Sequence, residues 1–377
     1  MNGSAVLTQS ALSSQHVDHV LDRTGSGQIP DRGVFIGVDT HQLTHHAAVI
    51  DPHHARLAHR EFPATATGYR DLSRWAGSHG RVLGIGVEST GSYGAGLTRH
   101  LLTTMPGVEI FEVSRPERTT RAKEGKSDPI DAYSAAVQVV SRRTQARPKI
   151  TTGLVEAIRV VKVPRDLAVK DRTAAYSQMR DLITTGPEHL RQELIGLTSR
   201  GRVTRALTLR PDPTRLHEPL QATKQALRAL ARRIRDLDAE IDEADKILTA
   251  LTKQACPTVL AMPGVGTQSA AQLVITAGQN IDRMRTEAAF AKFCGTAPLP
   301  ASSGKTNRHR LNRGGDRAAN SALYMIIVGR MSRDPRTRAY VERRRAQGMT
   351  TPEIIRCLKR HLARNIYNTL KHDLMTP

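Results

Sequence analysis

The amino-acid sequence predicts an α/β domain near the N-terminus, followed by a helical coiled-coil region and a mostly α C-terminal domain. Three observations predict this: short apolar runs first alternate with amphipathic segments, a long heptad repeat follows, and helical patterns broken by glycine and proline come last. The expected division is a mobile tail at 1–32, the α/β domain at 33–150, the helical region at 151–255 and the C-terminal domain at 256–377.

The order of elements in the first domain indicates the kind of sheet. Five strands are predicted, at Val34–Asp39, His45–Asp51, Ala55–Phe62, Arg81–Glu88 and Val108–Val113. Helices are predicted at Thr67–Ser78, Ala95–Thr104 and from Asp128 to about Arg143. Three strands followed by alternating helix and strand is the order of a ribonuclease-H-like fold. A dinucleotide-binding domain is disfavoured because no GxGxxG follows the first strand.

The middle region contains the clearest periodicity in the chain. Within a predicted helix at Leu216–Lys253, apolar residues step by three and four in turn from Leu227 to Leu251. Shorter helices are predicted at Asp166–Thr184 and Glu188–Leu197. The seam must pair with another helix, either in the same chain or across a dimer. Spacing alone does not choose between these, and we favour a contact between subunits in a homo-oligomer (dimer or tetramer).

The C-terminal domain begins with a pattern typical of a helix-hairpin-helix. A helix at Val259–Met262 is followed by the turn Pro263-Gly264-Val265-Gly266 and a second helix at Ser269–Ala277. Backbone N–H groups at Gly264 and Gly266 are therefore candidates for contact with a nucleic-acid phosphate. An ordinary connection between helices is the alternative. Further helices are predicted at Glu287–Cys294, Arg317–Ser332 and Pro352–Lys371, with a long loop at Gly295–Asp316.

Charge indicates the class of partner. The 377 residues include 56 Lys and Arg against 35 Asp and Glu, a formal net charge of +21, and the span 301–377 alone has a surplus of +12. A polyanion such as nucleic acid is the expected partner. Aromatic residues make up only 3% of the chain, which argues against single-strand binding on stacked aromatic platforms.

Other features bear on the compartment. No apolar run approaches the roughly 20 residues that cross a bilayer, and the N-terminus lacks a signal-peptide pattern. The three cysteines are far apart and form no CxxC, which disfavours a disulfide framework or a zinc knuckle. We therefore expect a cytoplasmic protein with no membrane partner.

Four carboxylates are candidates for a metal site. Asp39 ends the first predicted strand and Glu88 the fourth, and these strands are neighbours in a ribonuclease-H-like sheet, about 4.8 Å apart. Asp128 and Asp131 share one face at the start of a helix. Four acidic groups brought together require a cation, and oxygen ligands favour Mg²⁺ or Mn²⁺. Two such ions can activate an attacking oxygen and stabilise a leaving one at a phosphodiester.

Each of these residues also has a plainer interpretation. Asp128-Pro129 with Asp131 is a common helix start in which Asp128 caps the helix, and Asp39 can form a turn. The metal hypothesis depends on all four residues occurring in the right elements and order. Six histidines lie nearby, but they have no convincing ligand spacing, and we set metal ligation by them aside; they are His41, His45, His46, His53, His54 and His59.

A serine in a basic loop is a candidate nucleophile. Ser303-Gly304-Lys305-Thr306 is not a phosphate-binding P-loop, because that motif requires glycine where Leu299 stands. The basic residues Lys305, Arg308, Arg310 and Arg313 follow, and such residues can hold a phosphate against a serine hydroxyl. By itself this signal is weak.

These motifs together resemble insertion-sequence transposases of the IS110 group, which join a DEDD domain related in fold to Holliday-junction resolvases to a serine domain. The resemblance covers about residues 33–335. It depends on Gly37-Val38-Asp39, Val87-Glu88-Ser89-Thr90-Gly91-Ser92-Tyr93, Lys126-Ser127-Asp128-Pro129-Ile130-Asp131-Ala132, Met262-Pro263-Gly264-Val265-Gly266, Gly295-Thr296-Ala297-Pro298, Ser303-Gly304 and Arg313-Gly314-Gly315-Asp316-Arg317. Departures are minor: Ser127 stands where the family often has threonine, and Gly315-Asp316 where Gly-Asn is common.

The resemblance implies more than the residues establish. It implies a Mg²⁺-binding site at Asp39, Glu88, Asp128 and Asp131, and a serine that forms a covalent 5′-phosphoserine link to DNA. Ser303 directly precedes glycine as in the family, although Ser302 lies beside it. The resemblance also implies a multimer and a structured RNA, encoded by the element, that selects donor and target DNA.

Two other functions remain as alternatives. One is a structure-specific nuclease of the Holliday-junction type, in which the carboxylates hydrolyse DNA and the serine has no role. The other is a nucleic-acid scaffold without catalysis. The long basic second half argues against the nuclease, which does not need it.

Overall fold

The computed structural model describes residues 32–113, 127–301, 309–310 and 312–375. Apart from Arg32, the predicted tail lies outside the described residues. The N-terminal part is built on five strands, namely β1 (Gly33–Thr40), β2 (Thr44–Ile50), β3 (Arg56–Pro63), β4 (Arg81–Glu88) and β5 (Glu109–Val113). Its helices are α1 (Ala66–Ser78), α2 (Ala95–Thr104) and α3 (Asp128–Val140).

The strands form one mixed sheet in the order β3-β2-β1-β4-β5. The first three strands are antiparallel neighbours, while β4 pairs parallel to β1 and β5 parallel to β4. The predicted order of strands and helices is confirmed, and no predicted strand boundary here is more than one residue from the observed one.

Helices cover both faces of this sheet. Alternate residues of β1, namely Val34, Ile36 and Val38, lie in a core with residues of α1 and α2. The intervening positions face the other way, where Phe35 packs with residues of α3. Because alternate residues of a strand share a face, Asp39 and Glu88 lie on the side of the sheet that α3 covers.

The rest of the chain is mostly helical. The helices are α4 (Gly153–Thr185), α5 (Glu188–Ile195), α6 (Ser199–Leu207), α7 (Pro219–Ala255), α8 (Pro257–Leu260), α9 (Thr267–Ala277), α10 (Glu287–Phe293), α11 (Arg317–Arg333), α12 (Pro335–Ala346) and α13 (Thr351–Met375). Two short strands, β6 (Leu299–Pro300) and β7 (His309–Arg310), pair antiparallel within the segment predicted to be a loop. Across the described ranges, no helix combines the length and apolar character needed to span a membrane.

Two long helices, α4 and α7, pack against each other in opposite directions. Arg165 Nε donates to Asp245 Oδ1 at 2.8 Å, and Arg172 Nη1 donates to Asp238 Oδ1 at 2.6 Å. Residue numbers rise on α4 as they fall on α7, which makes the pair antiparallel. The prediction began the first helix at Asp166, whereas α4 starts at Gly153 and continues through Pro164. Packing along the whole helix offsets the hydrogen bond that proline removes.

The heptad seam of α7 is partly covered by α4 of the same chain. Leu227 and Ile234 pack in one cluster with Met179 of α4, and Leu248 packs in another with Ile158. The partner observed for this seam is therefore a helix of the same chain. The subunit contact that we favoured stays a prediction.

The C-terminal helices enclose a core of their own. It gathers residues of α7 to α13, with Val341 as the contribution of α12, together with the start of α4. Helix α12 was not predicted, because its sequence carries arginines at five positions and buries only Thr337 and Val341. Helix α8, a turn and α9 follow one another along the chain, while the helix-hairpin-helix and its role in phosphate binding stay predictions.

Candidate functional site

Asp39 and Glu88 lie side by side at one edge of the sheet. The parallel register of β1 and β4 pairs Val38 with Val87, which places the next residue of each strand at the same level. The Thr40 hydroxyl donates to the Glu88 carbonyl oxygen at 3.1 Å and holds the two strand ends together. Both acidic residues are 6% exposed. The two residues therefore lie at the same level on neighbouring buried strands, although they are 49 positions apart in the sequence.

Glycines let α3 approach this edge closely. Gly37 of β1 is in register with Gly86 of β4, and both lie on the face that α3 covers. A Cβ atom added at Gly37 would be 2.0 Å from the Ala132 carbonyl oxygen and 2.2 Å from the Ala136 nitrogen. The backbone of α3 therefore rests directly on β1. This contact carries the first turn of α3 to the carboxylates.

The first turn of α3 provides two further carboxylates. Ser127, not Asp128, occupies the N-cap position, so the helix start does not use Asp128 as its cap. The Asp131 N–H donates to the Ser127 carbonyl oxygen at 3.1 Å. Asp131 is 4% exposed, whereas the Asp128 side chain is 45% exposed. Asp128 is thus available to solvent and ligands while Asp131 is enclosed.

A histidine joins this acidic group. His41 Nε2 lies 3.2 Å from Asp39 Oδ2 and 3.5 Å from Asp128 Oδ1. One ligand atom from each of Asp39, His41 and Asp128 lies within 4.8 Å of the others, a spacing that suits a metal ion. His41 is not predicted as a ligand, because the histidines lack zinc-ligand spacing. The signal that could have identified it is its position directly after β1, two residues beyond Asp39.

The electrostatics of the edge favour a cation. Burial raises the pKa of the Asp39 carboxyl, and the neighbouring Asp131 and Asp128 carboxylates raise it as well, while His41 lowers it. Like charges that repel in a desolvated site are stabilised by a bound cation. The donor set is mainly carboxylate oxygen, which suits a hard divalent ion.

The predicted serine nucleophile cannot be placed. Ser303, its neighbour Ser302, Lys305 and Arg308 lie outside the described residues, as does Lys126. Arg310 belongs to β7, where it is paired with Leu299 and exposed. Arg313 is exposed in the turn before α11.

The turns that flank this loop are well defined. Gly295 and Gly315 both have positive φ, of 65° and 90°. A Cβ atom at Gly315 would be 2.3 Å from the Phe293 carbonyl oxygen and 2.9 Å from the Gly295 nitrogen. The two glycine turns therefore pack on each other. Asp316 follows and accepts hydrogen bonds from the Ala318 and Ala319 N–H groups, which caps α11.

The turn between α8 and α9 also depends on a glycine. Gly264 has a φ of 74°, and Arg330 Nε donates to the Pro263 carbonyl oxygen at 2.6 Å. Gly266 is the N-cap residue of α9, with no side chain capping the first turn. This geometry leaves N–H groups of the first turn of α9 without a side-chain cap. It is compatible with phosphate contact and equally with a plain helix connection.

Comparisons with known proteins agree with these observations. A transposase model of the DEDD type from the IS110 group matches residues 36–186, and the model described as "Transposase IS116/IS110/IS902 family" matches residues 256–342. Together they cover well over half of the chain, including the acidic edge and the glycine turns.

Two relatives come from insertion elements. An uncharacterized 43.6 kDa protein of insertion element IS110 from Streptomyces coelicolor is 25% identical over 386 aligned residues, which span 88% of this chain and 93% of the relative. An uncharacterized 42 kDa protein of insertion element IS900 from Mycobacterium paratuberculosis is 26% identical over 134 residues, spanning 35% of this chain and 34% of the relative. On these grounds the chain belongs to the IS116/IS110/IS902 family of transposases, and it is a DNA transposase.

Proposed function

We propose that this transposase cuts and rejoins DNA with a divalent-metal site at Asp39, Glu88, Asp128 and Asp131 and with Ser303 as nucleophile. The observation that carries the first half is the close grouping of the buried Asp39 with His41 and the half-exposed Asp128, with Asp131 acting on the charge of Asp39. When bound, Mg²⁺ or Mn²⁺ would supply positive charge to a phosphate and lower the pKa of an attacking oxygen.

The residues around the acidic edge have distinct parts in this proposal. Asp39 and Asp128 would hold the cation from the strand and the helix, and Glu88 would supply a third carboxylate from the neighbouring strand. Asp131 adds negative charge from its buried position. His41 lies on the exposed side of the group, where it can orient Asp39 or join the ligands.

The covalent step is assigned to the serine. The Ser303 hydroxyl oxygen bonds to phosphorus while the bond from phosphorus to the 3′ oxygen breaks. The serine proton passes to a base, and the released 3′ oxygen gains a proton. Because the phosphoserine is itself a phosphodiester, a 3′ hydroxyl of another strand can attack it and restore the serine. Strands are thereby rejoined without a nucleotide cofactor.

An RNA partner and a multimer complete the proposal. The net charge of +21 is suited to binding RNA and DNA together, and five arginines of α12 add to the basic surface. A structured RNA from the element would select donor and target DNA. Subunits would bring the acidic edge of one chain to the serine of another, and the expected compartment is the cytoplasm.

The decisive experiment detects a protein–DNA adduct. Purified protein, the element's RNA and labelled donor and target DNA are incubated with Mg²⁺, and the denatured products are separated by size. The proposal predicts an adduct that disappears in Ser303→Ala and persists in Ser302→Ala. An adduct retained in Ser303→Ala would reject this nucleophile.

The same experiment tests a metal-dependent nuclease, which the described carboxylate and histidine cluster also favours. That function predicts cleaved, unjoined DNA with no adduct. Its cleavage would be abolished by Asp39→Asn and left intact by Ser303→Ala.

A further inference from the structure

A cavity of about 660 Å³ lies in the C-terminal domain, away from the acidic edge. One side is formed by the Gly295 turn and strand β7, and the other by the N-terminal half of α13 and the turn before it, Gly348–Thr350. The lining residues Pro298 and His309 flank, in the sequence, the span 299–308 that includes Ser303.

The cavity is lined by cations. Arg310, Arg356, Lys359 and Arg360 border it, together with two histidines. Among the described lining residues Glu353 provides the one carboxylate, and it accepts hydrogen bonds from the Thr350 N–H and hydroxyl at 2.9 and 2.6 Å. Among the residues that the structure describes, no ion pair is formed by the three cations on α13. The lining thus presents more positive charge than its own carboxylate neutralises.

Lys359 is the buried member of this group. It is 6% exposed, and its Nζ donates to Asn320 Oδ1 at 2.8 Å. The Asn320 Nδ2 group donates in turn to the carbonyl oxygens of Cys294 and Gly295, at 2.9 and 3.0 Å. A neutral amide therefore fixes the ammonium beside the Gly295 turn. An ammonium carries three hydrogens, and Asn320 Oδ1 accepts only one of them.

A buried cation without an opposite charge is costly. Burial lowers the pKa of Lys359, and the nearby Arg356 lowers it further. Anionic oxygens in the cavity would accept the remaining hydrogens and offset both effects. A phosphodiester offers such oxygens to several arginines and a lysine at once.

We propose that this cavity is a phosphodiester-binding subsite for a nucleic-acid strand, with Lys359 as its buried contact and Arg310, Arg356 and Arg360 around its opening. This deepens the proposed function and rests on it in one respect, since the strand would be the one presented to the serine segment. The subsite itself is defined by described residues alone.

Binding is measured by fluorescence anisotropy with a labelled DNA duplex, in chains that also carry Ser303→Ala so that chemistry does not intervene. Lys359→Met removes the charge and keeps the side-chain volume. We expect affinity to fall about tenfold or more, as for a hydrogen bond to a charged group. In a salt series the slope should lose about 0.9 for the phosphate no longer contacted.

The matched control is Lys371→Met, which removes the same charge from an exposed position of α13 outside the cavity. It should change the affinity less than twofold. Arg356→Gln is the second test variant, because this side chain is only partly buried and we expect its replacement to preserve the fold. Thermal unfolding of each variant establishes that the chains are folded.

A duplex RNA of the same length distinguishes the source of the phosphate. Loss of affinity for DNA, for RNA or for both in Lys359→Met and Arg356→Gln supports the subsite and identifies which nucleic acid it binds. Unchanged affinity for both in Lys359→Met and Arg356→Gln would overturn it, as would an equal loss in Lys371→Met. The adduct experiment is independent of these measurements, so a failure of serine chemistry is distinguishable from a failure of the subsite.

Discussion

Replacing Gly37 with alanine tests whether the close contact between α3 and β1 builds the acidic edge. The added Cβ would lie 2.0 Å from the Ala132 carbonyl oxygen and 2.2 Å from the Ala136 nitrogen, both of them backbone atoms. Ordinary van der Waals contact begins near 3.4 Å, so the helix must retreat by more than 1 Å. Asp128 and Asp131 lie in the first turn of that helix and would move with it.

Two consequences are expected in Gly37→Ala. Overpacking of this kind costs about 1–3 kcal/mol, which should lower the melting temperature by several degrees. A displacement of about 1 Å at a catalytic group lowers the rate by roughly 100-fold. Metal-dependent adduct formation should therefore fall far more than the folded fraction does.

The assay combines thermal unfolding with adduct formation across a range of Mg²⁺ concentrations. Gly77→Ala is the matched control, because it makes the same change in α1 of the same domain with no atom within 4 Å of the new Cβ. It should leave activity unchanged. If Gly37→Ala melted and reacted like the control, the close packing of α3 would not be what positions the carboxylates.

Two further changes probe other parts of the fold. Asp316→Ala removes the cap of α11 and the 2.6 Å hydrogen bond from the Thr276 hydroxyl. The free energy of unfolding, measured in urea, should fall by about 1–3 kcal/mol, and by less in Asp316→Asn. Equal free energies of unfolding in the unmodified chain and both variants would contradict this. Burial lowers the pKa of His45, so the folded chain binds fewer protons there than the unfolded chain, and stability is lost as pH falls below about 6.5. His45→Phe keeps the stacking on Tyr69 and should reduce the loss of stability at low pH, which is measured by unfolding the chain at pH values above and below about 6.5. An unchanged dependence of stability on pH would refute the role given to His45.

Much of the N-terminal domain was predictable because its signals are local. The strand at Arg81–Glu88 and the helix at Ala95–Thr104 were predicted with the observed boundaries. Apolar alternation and glycine turns mark both elements without help from tertiary structure. The position of Asp39 and Glu88 at the same level of neighbouring strands followed from strand order alone.

Other features depend on contacts that periodicity does not reveal. Helix α4 runs through Pro164 because α7 supports it along its length, and α12 forms although its arginine-rich sequence has little apolar pattern. His41 has no ligand spacing with other histidines, since its neighbours are Asp39 and Asp128. The subsite around Lys359 is assembled from segments that are far apart in the sequence and meet only in the folded domain.

The central claim is that the carboxylates at the edge of β1 and β4 hold a divalent cation. Manganese binding, followed by electron paramagnetic resonance with DNA present, tests this most directly. The account predicts binding by the unmodified chain and by Asp71→Asn, whose carboxylate pairs with Arg74 on α1. It predicts affinity lower by at least about tenfold in Asp39→Asn and in Asp128→Asn. Manganese bound equally well by all four chains would contradict the claim.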